Sequence, residues 1–305
     1  MVSAPLVSIV IPVYNGSNYL GEAIDSALAQ TYPNIEILVI NDGSSDDGKT
    51  REVALSYGDK IRYIEKENGG VSTALNRGIR EMRGEYFSWL SHDDAYFPEK
   101  IAAQIQYLEE HSSPNAITYT DFSCVNGASE LMSIVEARKI KPQAFKLEFI
   151  LGGLLHGCAL LIPKKCFDVC GNFSETLRAT QDFELWFKFA EAGFEFYHIP
   201  QILVKWRLHE QQVSVKKKAL CDEECNIMYT EFLKRISKTE IRKNYQGSTL
   251  QYYLRYSNTM LDYGYKRPAW HAFWLSPFSL TLFNPRNILS TLRTGKRLLK
   301  SMGNK

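Results

Sequence analysis

Four short apolar runs, rich in β-branched and aromatic residues, alternate with segments of helical periodicity, and this alternation constrains the fold more than any other feature of the chain. The runs are VSIVIPV at 7–13, then residues 35–40, 61–64 and YFSWL at 86–90. Between them, Leu20, Ile24, Ala27 and Leu28, and later Val71, Leu75, Ile79 and Met82, recur at helical spacing, with Pro33 closing the first helix. Asp46 or Ser45 is the expected cap of a helix after the second run, and Pro98 suits the first turn of another that carries Ile101, Ile105 and Leu108. Strands alternating with helices specify an α/β domain with a largely parallel sheet. Ligands of such sheets sit outside the carboxyl ends of the strands. The polar loops after Val13, Ile40 and Leu90 therefore bring Tyr14, Asp42, Asp93 and Asp94 around one crevice. From about Ala219 onward the pattern turns helical and aromatic, so the expected units are 1–218 and a helical region 219–305.

The 305 residues, 45% hydrophobic and 23% charged, can bury a proper core in one large or two ordinary domains. The net charge of +2 hides an asymmetry: from Tyr263 to Lys305 there are eight Lys or Arg and no Asp or Glu, which leaves the first 262 residues at −6. An acidic body and a basic tail imply two different partners. The six cysteines include two pairs at C-x-x-x-C spacing, Cys166/Cys170 and Cys221/Cys225, with no histidine at zinc-site spacing beside them, and are expected as free thiols. The opening VSIVIPVY has no basic region before it and is broken by Pro12, unlike a secretory signal. No uninterrupted apolar segment nears the roughly 20 residues that cross a bilayer. The expected location is the cytoplasm.

Gly43 to Thr50, GSSDDGKT, satisfies the pattern G-x-x-x-x-G-K-[ST] of phosphate-cradling loops. Such a loop aims backbone N–H groups and a lysine at anionic oxygens. Here Asp46 and Asp47 lie inside it and Asp42 just before it, so a polyphosphate would meet three carboxylates. A calcium loop counted from Asp42 lacks glycine at the sixth position and glutamate at the twelfth. The acids make better sense as acceptors for a nucleobase N–H and a ribose hydroxyl, and as ligands of a divalent cation that neutralises a diphosphate.

The segments VSIVIPVYNG, EILVINDGSSDD, NGGVSTALNRGI, GEYFSWLSHDD and QDFELWFKFAEAGF resemble, in order and spacing, the family 2 glycosyltransferases of the GT-A fold. The likeness covers roughly residues 5 to 215. It implies a GT-A nucleotide-sugar-binding domain with a mixed, mostly parallel sheet between helices. By this resemblance Pro12, Val13 and Tyr14 line the base and ribose site, Asp42 holds the base, and Asn76 lies beside the nucleotide. Asp93 then contacts the ribose or a metal-bound water, and Asp94 coordinates Mn²⁺ or Mg²⁺. Many relatives carry a further Asp where this chain has Ser91, which shortens the metal motif. Asp93 and Asp94 also suit a helix cap before Pro98. In TQDFELW, Asp182 falls on the catalytic base, preceded by Gln181 where relatives commonly have Glu; an N-cap role is compatible with it. WRLHEQQVS resembles the segment with a histidine and a serine near the diphosphate, which makes His209 a second metal or phosphate contact and Arg207 a phosphate partner. His156 and Trp186 are expected at the sugar.

The resemblance implies an inverting, metal-dependent transfer of a sugar, from a UDP-sugar by preference, to a saccharide or lipid-linked oligosaccharide. One base suffices for such chemistry, whereas a glycosidase needs two flanking carboxylates. Two rivals remain: a sugar nucleotidyltransferase, which would show an Arg/Lys-bearing Gly-rich loop where this chain has PVYNGSNYL, and a non-catalytic glycan-binding protein, suggested by Ser91 and Gln181. Trp270, Phe273, Trp274, Phe278 and Phe283, set among the tail cations, point to a membrane surface at its inner face, or alternatively to packing on the catalytic domain. Nucleic acid is not an expected partner, since no binding fold for it accompanies the basic stretch.

Overall fold

The structure, a computed structural model, describes residues 4–152, 155–210, 212, 217–276 and 285–303. Its chain divides into two compact units, Met1–Lys139 with Leu154–Lys216, and Ile140–Gly153 with Lys217–Lys305.

The first unit holds nine strands among the described residues: β1 (Val7–Val13), β2 (Ile35–Asn41), β3 (Arg62–Glu65), β4 (Tyr86–Trp89), β5 (Ala95–Tyr96), β6 (Ile117–Val125), β7 (Leu131–Val135), β8 (Leu160–Pro163) and β9 (Phe196–Arg207). They form one sheet in the order β3-β2-β1-β4-β8-β6-β9-β5, with β7 added to β6. Its helices are α1 (Leu20–Leu28), α2 (Lys49–Leu55), α3 (Val71–Glu81), α4 (Lys100–Glu110), α6 (Lys164–Cys170) and α7 (Gln181–Glu191); α5 (Phe145–Phe149) belongs to the second unit.

All seven residues of β1 are buried, as a central strand covered on both faces requires. β1 runs parallel to β2 and β4, with Val10 opposite Leu38 on one side and Trp89 on the other, and β2 runs parallel to β3. This half of the sheet is the parallel part that the alternation of strands and helices predicts. A Cβ on Gly78 would stand 2.3 Å from Val10 Cγ1, so the glycine lets α3 lie directly on β1. Beyond β4 the sheet becomes mixed. β8 is antiparallel to β4 and β6, β6 is parallel to β9, and β5 is antiparallel to β9.

Trp186, expected at the sugar, lies instead in the core. It is fully buried, with its ring 5.8 Å from Phe173 and 5.7 Å from Phe189, while Phe167 meets both Phe87 and Phe189 edge-on. The reason is its place on α7: Leu185, Trp186, Phe187 and Phe189 form the buried face of this helix.

The second unit contains α5 and the helices α8 (Lys218–Lys234), α9 (Lys238–Asn244), α10 (Thr249–Asp262), α11 (Lys266–Leu275) and α12 (Pro285–Gly303). Segment 140–153, read from sequence as part of the catalytic domain, groups here. Phe145, Leu147 and Phe149 are buried, Tyr252 Oη donates to the Leu147 carbonyl at 3.2 Å, and Lys146 pairs with Glu240 at 2.8 Å. Ser248 and Gln251 close a capping box at the start of α10. Among the described residues no helix is long and apolar enough to cross a membrane.

Candidate active site

The carboxyl ends of β1, β2 and β4 carry the three loops expected to converge, and hydrogen bonds tie the first two together. Asp42 N donates to the Val13 carbonyl at 2.8 Å and Gly16 N to Thr50 Oγ1 at 3.0 Å. Pro12 and Val13 are buried at the end of β1, and Tyr14 is 46% exposed beside them. The third loop closes against Gly16, where a Cβ would stand 2.2 Å from His92 Cδ2.

The GSSDDGKT loop is not a phosphate cradle, because its own side chains and neighbours occupy its amides. Ser44 N donates to Asn41 Oδ1 at 3.0 Å, Ser45 N to Asn15 Oδ1 at 2.7 Å, and Thr50 N to Asp46 Oδ2 at 3.0 Å. A carboxylate thus sits where an anion would have to bind. Asp46 caps α2, although Gly48 is the residue at the N-cap position.

Asp42 organises the neighbouring turn. Its Oδ1 lies 2.6 Å from Lys66 Nζ and accepts from Gly69 N at 3.1 Å, while Oδ2 accepts from Gly70 N at 2.7 Å. The aspartate is 3% exposed. Asn76 stands away from a nucleotide role. Its Nδ2 donates to the Phe173 carbonyl and to Glu175 Oε1, both at 2.9 Å, and its Oδ1 accepts from Phe173 N at 3.0 Å. A buried amide must satisfy its polar atoms, and here it does so by pinning the loop that leads to α7. Arg178, on that loop, donates to the Gly69 carbonyl at 2.9 Å.

The two aspartates after β4 point to different surroundings. Asp93 Oδ2 lies 2.9 Å from His209 Nε2, and both side chains are partly exposed, at 15% and 16%. Asp94 turns inward. Its Oδ1 accepts from Arg207 N at 2.9 Å, and its Oδ2 lies 3.2 Å from Cys158 Sγ and 3.7 Å from His156 Nε2. Burial, and then the charge of Asp93, push the Asp94 carboxyl well above the usual carboxylate range. The expected pairing of Asp94 with His209 is therefore replaced by Asp93 with His209. The two aspartates sit in a turn closed by the Asp94 N–H to the Ser91 carbonyl at 3.1 Å, and the Arg207 N–H draws Asp94 inward while Asp93 meets His209.

Arg207 is a buried hub and not a phosphate contact. It is 1% exposed, and its Nε donates to the Asp93 carbonyl at 2.8 Å, Nη1 to Ser129 Oγ at 2.8 Å and Nη2 to Glu22 Oε2 at 2.5 Å. The guanidinium also lies 4.5 Å from the centre of the Tyr19 ring. Its donors are consumed by α1, the β6–β7 hairpin and the aspartate loop. His156 is wedged between Phe122 and Trp206, with ring centres 5.3 and 5.2 Å away, and burial lowers its pKa to about 4, so the ring is neutral.

Asp182 lies in the first turn of α7, whose N-cap is Thr180 and not Asp182, and its Oδ1 accepts from Phe183 N at 2.8 Å. Burial raises its pKa to about 6, into the range of a general base that works near neutrality. Sequence reasoning missed Lys66, Cys158 and the fully buried Lys100, which donates to Gln104 Oε1 at 2.8 Å and Ser88 Oγ at 3.0 Å. Burial brings the Lys100 pKa down to about 7. Lys100 follows the Pro98 helix signal, and its place beside the apolar Ile101, with Gln104 four residues on, gave no sign that the charge faces inward.

Residues 8–169 match the family model described as glycosyl transferase family 2. The chain is 49% identical over 242 residues to an uncharacterized glycosyltransferase of Rickettsia felis, a match that covers 78% of this chain and 40% of that protein. It is 30% identical over 217 residues to a hyaluronan synthase of Pasteurella multocida, covering 70% of this chain and 21% of the synthase. The chain thus spans well under half the length of both relatives. Among solved structures, S. aureus TarS 1-349 in complex with UDP-GlcNAc superposes with a TM-score of 0.59 over 97% of this chain and 91% of that one, at 17% identity. That likeness is one of fold.

Proposed function

The chain belongs to glycosyl transferase family 2, and from that premise we propose that it transfers a sugar from a nucleoside diphosphate donor to a saccharide hydroxyl, with inversion at the anomeric carbon. The observation that carries this reading is the Asp93–His209 pair at the carboxyl end of β4, Oδ2 to Nε2 at 2.9 Å. One carboxylate and one imidazole nitrogen, both partly exposed on the crevice side, suit Mn²⁺ or Mg²⁺ better than a thiolate site would. A divalent cation bound there supplies charge that stabilises a departing diphosphate.

The chain's own residues do the rest. Pro12, Val13 and Tyr14 form the wall for base and ribose. Asp42 Oδ2 accepts from Gly70 N alone among the described residues, which leaves a lone pair for a nucleobase N–H. Asp182, its proton affinity raised by burial, takes the proton of the acceptor hydroxyl as that oxygen attacks. One base is enough because the donor already carries its leaving group. Asn76, Arg207 and Trp186 act on this chemistry only through the positions of the loops they hold.

A UDP-sugar is the preferred donor, supported by the UDP-GlcNAc bound in TarS, and a polysaccharide or lipid-linked glycan is the acceptor, supported by the hyaluronan synthase relative. In the second unit, Leu289, Leu292 and Leu299 of α12 and Trp274 of α11 are exposed, next to the exposed Arg293, Lys296 and Lys300, and α12 contains no acidic residue. This combination suits an anionic lipid surface, which would bring the enzyme to a lipid-linked acceptor at the inner face of the membrane. Phe278 and Phe283 lie outside the described residues.

The test is calorimetric titration with UDP, dTDP, GDP and ATP, with and without Mn²⁺, on the wild type and on Asp93→Ala. Metal-dependent binding of one nucleoside diphosphate, lost in the variant, supports the transferase. Preference for ATP, abolished by Lys49→Ala, would overturn it.

A further inference from the structure

We propose that Asp94, His156 and Cys158 form a site for a thiophilic divalent cation of the zinc class, separate from the Asp93–His209 pair. One donor atom of each residue lies within 4.8 Å of the other two. Asp94 Oδ2 stands 3.2 Å from Cys158 Sγ and 3.7 Å from His156 Nε2. Tetrahedral zinc, with bonds of about 2.0–2.3 Å to O, N and S, requires donor atoms about 3.3–3.6 Å apart. Asp94 is thus already near that spacing to both partners.

The donor set selects the ion. A sulfur and an imidazole nitrogen beside a single carboxylate oxygen favour Zn²⁺ or Co²⁺ over Mg²⁺, which takes oxygen ligands. Ser91 backs the sulfur: its Oγ lies 3.4 Å from Sγ and its N–H donates to it at 3.3 Å, a contact that favours the thiolate a cation would take. His156 is the most exposed of the three, with a side chain 17% exposed. Binding replaces the thiol proton, which leaves to solvent as the sulfur–metal bond forms. Asp94 Oδ1 keeps its hydrogen bond from Arg207 N, so the cation needs only the oxygen that already faces the sulfur. Because the site shares the 91–94 loop with Asp93, its occupancy is coupled to the donor-binding end of the crevice.

Cobalt reports on the site without any sugar nucleotide, so its outcome is independent of the transferase assignment. Titration of the reduced full chain with Co²⁺ is expected to saturate one sulfur-bound site, whatever cobalt the Asp93–His209 pair also takes up. It should show a thiolate-to-cobalt charge-transfer band that Zn²⁺ erases and excess Mg²⁺ does not. Cys158→Ser should abolish the band, and His156→Ala should weaken Co²⁺ binding at least tenfold. His209→Ala and the double variant Cys221→Ser/Cys225→Ser should retain it. Should Cys158→Ser fail to fold, Asp94→Asn and His156→Ala serve as the site variants. Absence of the band in the wild type, its survival in every site variant, or its loss in His209→Ala or in the double cysteine variant would each overturn the proposal.

Discussion

His209 Nε2 lies 2.9 Å from Asp93 Oδ2 although 116 residues separate the two in the chain. The contact joins the residue that follows β9 by two positions to the loop after β4, strands that are not neighbours in the sheet. Arg207 makes the approach possible. Its backbone N–H holds the Asp94 carboxylate and its side chain holds the Asp93 carbonyl, so the end of β9 and the aspartate loop move as one.

The pair should govern metal-dependent donor binding. Asp93→Asn and His209→Ala are each expected to weaken Mn²⁺-dependent binding of the nucleoside diphosphate by at least about tenfold, the lower bound seen for partners one layer out from a metal. Calorimetry in Mn²⁺ and in EDTA separates this effect from metal-free affinity, which should change little.

Asp182 should set the acid limb of the pH profile. With a pKa raised to about 6 by burial, it is deprotonated above that pH, so kcat/KM should rise through pH 6 and level off. Asp182→Asn should lower kcat by about 10²–10⁴-fold. The stability effect has the opposite sign. The folded state binds the proton more tightly than the unfolded chain, so wild-type stability falls as pH rises from the ordinary carboxylate range to about 6. At pH 7.5 the Asn variant should therefore unfold at higher denaturant than the wild type, and the difference should vanish near pH 3.

Arg207→Met should destabilise the first unit by about 3 kcal/mol, the lower end for breaking a buried ion pair. Its partner Glu22, 39% exposed, can be rehydrated, whereas the Asn126 and Asp93 carbonyls lose their donor. Urea unfolding measures the loss. Arg207→Lys should recover little of it, since one ammonium cannot reach Glu22, Ser129 and Asp93 together.

Trp186→Ala should cost about 3–5 kcal/mol, as expected of an indole removed from a core. In the fraction that remains folded, KM for the acceptor should stay within about twofold, a ratio well below the several-kcal/mol effect of a lost hot-spot aromatic. A large rise in acceptor KM, with stability unchanged, would return this residue to the sugar site.

How much of this was legible beforehand depends on the kind of interaction. The strands β1 to β4, the helices between them and the convergence of Tyr14, Asp42 and Asp93 follow from hydrophobic period and loop position, which are local properties. The carboxylates inside GSSDDGKT argue against a phosphate cradle by charge alone, and the structure adds that Asn15, Asn41 and Asp46 take its amides.

Sequence by itself determined the α/β class and the order of the elements from β1 to the helix after Pro98, because burial of apolar faces leaves few arrangements for such a pattern. Only the tertiary structure decided which of Asp93 and Asp94 faces His209, that Arg207, Asn76 and Trp186 are consumed within the protein, and that segment 140–153 joins the C-terminal helices. For Asp93, Asp94, Arg207 and Asn76 the partner lies 97 to 116 residues away in the chain, as between Asn76 and Phe173 or Asp93 and His209, and no local pattern encodes such a partner.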